Sequence, residues 1–164
     1  LFFRSHNTKL IDAGDEPLYL PVDANCSFHR IYFAHGYFSS ALHELAHWLI
    51  AGEQRRLMAD YGYWYNPDGR NQAEQKLFEQ VESKPQAIEW MLHKACGKKF
   101  FLSFDNLSLP EGNKQQFALA VVNWVSILIS NGMSSRMTLL LQTLALHYKQ
   151  SSVLCLNSYQ VSEL

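Results

Sequence analysis

Hydrophobic positions along the chain change period several times, and each change marks an element. An apolar opening, Leu1-Phe2-Phe3, is expected to pack on the body, and Thr8 to Ile11 behind it is a short strand candidate. Glu16-Pro17-Leu18-Tyr19-Leu20-Pro21 reads as extended, because proline disfavours the helical region for the residue before it, and a run bounded by prolines suits an edge strand or clamp. His29 to Ala34 is β-branched and aromatic and predicts a further strand. After a turn at His35-Gly36, Tyr37 to Ala51 reads as one helix, with Ser39 or Ser40 as its N-cap and Gly52 as its stop. A charged turn from Glu53 to Arg56 starts a short helical piece ending near Asp60, and Tyr61 to Arg70 holds too much Gly and Pro to be regular.

In the second half, Asn71 followed by Glu74 is a capping-box start for a long helix that turns Leu77, Phe78, Val81, Ala87, Ile88, Met91 and Leu92 towards the core. Pro85 is expected to kink or restart that helix near Ser83, and Gly97 to end it. Lys98 to Phe104 alternates weakly, as a strand would. Two more helices, Lys114 to Asn131 and Ser135 to Tyr148, flank Asn131-Gly132, and the aperiodic tail from Gln150 to Leu164 is expected to be partly disordered. The sum is an α+β fold: one mainly helical domain over residues 1–164 with a small N-terminal sheet.

Composition narrows the class of protein. The 164 residues are 48% hydrophobic, enough for the core of one ordinary domain. Fourteen basic and fifteen acidic residues give a formal charge of -1, so no basic field or polybasic tail invites nucleic acid or a membrane surface. Cys26, Cys96 and Cys155 are odd in number and far apart, which fits a reduced, cytoplasmic setting rather than a disulfide framework. No apolar run reaches membrane-span length, no signal-peptide order is evident, and the start at Leu1 rather than Met leads us to expect that the natural N-terminus is missing.

Candidate chemistry centres on His43-Glu44-Leu45-Ala46-His47. Positions four apart on a helix lie one turn apart on the same face, so His43 and His47 can reach one metal ion. Glu44 is about 100° round from His43 and is placed instead to take a proton from a molecule on that metal. A catalytic metal needs a third protein ligand and an open position. The long helix offers Glu74, Glu79, Glu82, Glu89 and His93, among which Glu82 is favoured because it lies beside the Pro85 break. His35 is a turn histidine that can also stand behind the ligands. Two histidines and one carboxylate suit either a zinc hydrolase or a ferrous oxygenase, and spacing does not choose between them.

A wider series of residues carries a resemblance. Asp15-Glu16-Pro17-x-Tyr19-Leu20-Pro21-x-Asp23-Ala24, Phe33-Ala34-His35-Gly36, His43-Glu44-x-x-His47-Trp48, Ala51-Gly52, Gly62-Tyr63-Trp64-Tyr65-x-Pro67-Asp68-Gly69-Arg70, Phe78-Glu79-x-Val81-Glu82-x-Lys84-Pro85-Gln86-Ala87 and Asp105-Asn106-Leu107 together resemble the bacterial elongation factor P hydroxylase family. The resemblance spans roughly residues 8 to 107 and is much looser beyond. It implies a zincin-like HExxH helix packed on a second, ligand-bearing helix. It also implies ferrous iron (Fe2+) on His43, His47 and Glu82, with dioxygen as co-substrate. The implied partner is elongation factor P carrying a β-lysyl group on the target lysine, with no nucleic acid and no membrane. Such a tip is cationic, so Glu79, Asp68 and Asp105 are expected to meet its charge and Tyr63, Trp64 and Tyr65 its alkyl chain or ammonium, while Arg70 fixes the loop or meets the protein partner. Rival readings are a zinc peptidase of minimal zincin type and a non-catalytic module tied together by metal, with His35 or His93 as a fourth ligand.

Overall fold

The computed structural model describes residues 2–14, 16–59, 70–104 and 111–164. They divide into two compact units, one up to residue 63 and one from residue 64 onward. Helix predominates, beside one small sheet.

The first unit is built on that three-stranded sheet. β1 (Thr8–Asp12) and β2 (Leu18–Leu20) flank the central β3 (His29–Phe33), with β1 parallel and β2 antiparallel to it. Leu18–Leu20, between its two prolines, is an edge strand as the sequence predicts. Ile31 at the centre of β3 is 2% exposed. A short helix, α1 (Phe2–Ser5), precedes the sheet. Helix α2 (Phe38–Ile50) follows β3 after two left-handed residues, His35 (φ 56°) and Gly36 (φ 64°). The Asp12 carboxylate accepts hydrogen bonds from the Gly36 and Gly14 N–H groups, at 3.1 and 3.2 Å, tying the end of β1 to the turn that launches the helix. A Cβ at Gly36 would lie 3.0 Å from Asp12 Oδ2, so the turn needs glycine for space as well as for φ. Neither end of α2 is capped as expected. Its N-cap is Tyr37, without a side-chain bond, because Ser40 Oγ instead accepts from the Ala34 N–H in the preceding turn. It ends at Ala51 in extended backbone, and Gly52 adopts no left-handed conformation. Beyond it, Arg55–Leu57 is one short 3-10 turn.

In the second unit, α3 (Gln72–Ala95) packs against α4 (Glu111–Asn131) and α5 (Ser135–His147). The predicted capping box is present: Asn71 Oδ1 accepts from the Ala73 and Glu74 N–H groups, and Glu74 Oε2 accepts from the Asn71 N–H. Against expectation, Pro85 does not restart the helix, which runs as one element of 24 residues. Proline costs α3 one backbone bond, to the Val81 carbonyl, but Val81 lies on the exposed side and the rest of this stretch is packed. Leu77 (53% exposed) and Val81 (37%) are outside the core, whereas Phe78, Ala87, Ile88, Met91 and Leu92 are inside it. Gly97 (φ 63°) closes α3 in a Schellman motif, with Gly97 N–H to the Lys94 carbonyl at 3.0 Å and Lys98 N–H to the His93 carbonyl at 2.9 Å.

Residues 98–104 do not form the expected strand. The Gln86 amide occupies both backbone groups of Ser103, donating to its carbonyl at 2.8 Å and accepting from its N–H at 3.0 Å, so a side chain takes the place of a neighbouring strand. Gly132 (φ 91°) lies at the break between α4 and α5, whose axes turn by 103°. The tail is ordered, which corrects the expectation of partial disorder: Tyr159 packs edge-on against Trp90 at 4.9 Å and donates to the Val153 carbonyl at 2.7 Å. Among the described residues no single helix is long and apolar enough to cross a membrane.

Candidate metal centre

Helix α2 sorts its residues by face. Leu42, Leu45, Ala46 and Leu49 are buried, and Trp48 packs edge-on against Phe2 and His6 at 6.0 and 5.6 Å. His43, Glu44 and His47 are only partly buried and share the other side. The two imidazoles meet there, with Nε2 atoms 3.0 Å apart and ring centroids 4.6 Å apart. Burial first, and then the His43 imidazole beside it, holds the His47 ring well below the usual histidine range, so it stays neutral and its lone pair is available.

Helix α3 buries a stripe of polar side chains, Gln75, Glu82, Gln86, Glu89 and His93, which with Phe78 follow one another at spacings of three or four. Buried polar groups need partners. Gln86 holds Ser103, Gln75 binds Arg70, and Glu89 Oε1 lies 3.5 Å from His93 Nε2. Glu82 is 2% exposed and stands in this stripe, not beside a helix break. Glu74 is exposed and spent on the capping box, and Glu79 is half-buried.

His43 and His47 in the first unit offer two nitrogen donors, and Glu82 in the second offers a buried carboxylate, donor types that a divalent metal takes. The donors fit such an ion. Two nitrogens about 2.1 Å from one centre, at about 90°, are themselves about 3.0 Å apart, the separation the Nε2 atoms have. Two imidazoles and one carboxylate leave positions open on a divalent metal. Residues 1–158 match the family model described as elongation factor P hydroxylase. A relative from Haemophilus influenzae named elongation factor P lysine hydroxylase is 45% identical over 161 residues, which is 98% of this chain and 90% of its own.

The chain belongs to the elongation factor P hydroxylase family.

In this family member the other predicted site residues are distributed as follows. Glu44 is half-buried, one position beyond His43 on α2. His35 is exposed in the left-handed turn, its ring 5.6 Å from that of Tyr37. Glu79 is one turn before Glu82 on α3 and accepts from Gln75 Nε2 at 3.2 Å. Tyr63, Trp64, Tyr65, Asp68 and Asp105 lie outside the described residues. Arg70 was expected to fix the loop or meet a partner, and sequence reasoning missed where it is used: it is 6% exposed and bonds Gln75 and the Phe104 carbonyl. A polar residue recurring every three or four positions on α3 was the signal, and it also fits a solvated helix face.

Proposed function

We propose that this protein is a metal-dependent protein hydroxylase that hydroxylates a lysine side chain of elongation factor P, after a β-lysyl group has been joined to that lysine, in the cytoplasm. The observation that carries the reading is the pair of imidazoles on α2, His43 and His47, with Nε2 atoms 3.0 Å apart in a chain of this family. The relative's name supplies the reaction and the protein substrate. The whole of residues 1–164 is then one hydroxylase domain.

His43, His47 and Glu82 would hold ferrous iron, which when bound, with dioxygen as co-substrate, supplies the oxidising power that hydroxylation of an unactivated methylene requires. The remaining work belongs to the chain. The His47 ring, kept neutral by its surroundings, competes weakly for protons and so favours metal ligation. Glu44 holds or releases a proton at its carboxylate beside the ligands. Glu79 meets positive charge on the substrate, with Asp68 and Asp105 as further acceptors and Tyr63, Trp64 and Tyr65 as ring faces. A peptidase and a metal-tied binding module share the HExxH helix, but the relative's name supports neither.

Mass spectrometry of β-lysylated elongation factor P, incubated with the purified protein, oxygen and excess ferrous iron, whose oxidation supplies the two electrons that reduce the second oxygen atom to water, tests the proposal. A gain of one oxygen atom on the modified lysine peptide, lost with His43→Ala, is the expected result. An unchanged mass under every iron condition, with cleavage of casein in its place, refutes it.

A further inference from the structure

The second unit contains an open cavity of about 770 Å³ between α3 and α4. Gln75, Glu79 and Ser83 line it from α3, and Phe117, Ala120 and Trp124 from α4. Among the described residues Glu79 is the carboxylate that lines it, and three residues along a helix is a rise of about 4.5 Å, so this wall lies within one turn of Glu82 on the same element. The other charged lining residue, Lys76, is exposed.

Behind Glu79 stands a buried relay whose polarity is fixed. Arg70 can only donate. Its Nε–H donates to Gln75 Oε1 at 3.0 Å, and Nη2 donates to the Phe104 carbonyl at 2.8 Å, while the guanidinium lies 4.0 Å from the Phe78 ring centre. With Gln75 Oε1 committed as acceptor, its amide nitrogen must point the other way, and it donates to Glu79 Oε1 at 3.2 Å. Arg70 and Gln75 are 6% and 2% exposed, so the relay is set in packed surroundings and cannot turn over freely. Its effect is to hold Glu79 as an acceptor, with the second carboxylate oxygen left for a ligand. On the α4 side, the Trp124 ring already has the Lys84 ammonium 5.0 Å from its centre, so among the described lining residues the Glu79 carboxylate is the group that can receive another cation.

We infer that Arg70 and Gln75 are positioning residues that fix Glu79 as the acceptor for a primary ammonium group, and that the α3–α4 cavity takes the alkylammonium end of the substrate side chain. This rests on the hydroxylase reading for its substrate, but its recognition step can be measured apart from hydroxylation.

The probe is 1,5-diaminopentane, with pentan-1-ol as the uncharged control, titrated into the full chain and followed by NMR or calorimetry. Wild type should bind the diamine and not the alcohol. Gln75→Met, which breaks the relay, and Glu79→Gln, which keeps an acceptor for Gln75 but removes the charge, should each weaken diamine binding about tenfold to a hundredfold. Glu79 is half-buried, so Glu79→Gln remains informative if Gln75→Met fails to fold. With modified elongation factor P, both variants should raise KM far more than they lower kcat, whereas a merely structural role would move the melting temperature and leave that ratio alone. Diamine binding equal in wild type and Glu79→Gln overturns the inference even where hydroxylation proceeds. Charge-dependent diamine binding by a protein that never hydroxylates its substrate leaves the cavity assignment standing and removes the hydroxylase reading.

Discussion

Replacing Glu82 with Gln separates a metal ligand from a structural carboxylate, because the change keeps shape and removes charge at a position 2% exposed. A ligand that binds only the folded state stabilises it by RT ln(1 + [L]/Kd), about 2.7 kcal/mol at a hundredfold excess over Kd. For a chain of 164 residues, where 1 kcal/mol shifts the melting temperature by about 2–4 °C, that is a rise of about 5–11 °C. Loss of one of three protein ligands that weakens affinity about a hundredfold brings the same metal concentration down to Kd, where the gain is about 0.4 kcal/mol and the rise about 1 °C. The assay is differential scanning fluorimetry under anaerobic conditions with and without ferrous iron, repeated with zinc. Wild type and Glu79→Gln should show the full metal-dependent rise, since Glu79 is not among the three proposed ligands, and Glu82→Gln should show almost none. A full rise in Glu82→Gln, or its loss in Glu79→Gln, refutes the assignment of the third ligand.

The proton role of Glu44 predicts that Glu44→Gln retains the metal-dependent melting rise but loses about 100-fold or more in hydroxylation rate, as read by the mass assay. His29 is held below the usual histidine value of 6.5 by burial and then by the Arg56 and Arg30 charges, so the folded state binds fewer protons than the unfolded one. Its contribution to stability is therefore present above pH 6.5 and is lost as pH falls through the lower folded value, and urea titrations between pH 7.5 and 5 should show a shallower decline in His29→Gln than in wild type. Burial pushes the Cys96 thiol up to about 11, while Cys155 is exposed. At pH 8, iodoacetamide should label Cys155 first and leave Cys96 unmodified until the protein unfolds, which peptide mass mapping reads directly.

Short-range signals made much of this protein legible. The Pro-bounded edge strand, the His35-Gly36 turn, the Asn71 to Glu74 cap and the Gly97 stop each depend on one or two residues acting on the adjacent backbone, so reading them needs no knowledge of what packs nearby. The pairing of His43 with His47 was legible for the same reason, since helix geometry alone puts them on one face. The failures lie where a distant side chain decided the outcome. Gln86 supplies the hydrogen bonds that would have made 98–104 a strand, Ser40 turns back to Ala34 instead of capping α2, and Trp90 receives Tyr159 and orders the tail. Packing also carries α3 past Pro85, where local propensity predicted a break.

The choice among the acidic residues of α3 shows the same division. Sequence alone placed Glu74, Glu79, Glu82 and Glu89 on one helix and favoured Glu82 for its place beside Pro85, and the resemblance pointed to the same residue. Helical periodicity gives the angle of each carboxylate around the axis, but not which angle faces the imidazoles or which is taken up by a cap or an amide. Only the tertiary structure assigned Glu74 to the capping box, Glu79 to Gln75 and Glu89 to the neighbourhood of His93, and buried Glu82 in the polar stripe of α3. Local backbone energetics can be read one turn at a time, whereas a metal site is a statement about atoms that meet only after the chain has folded.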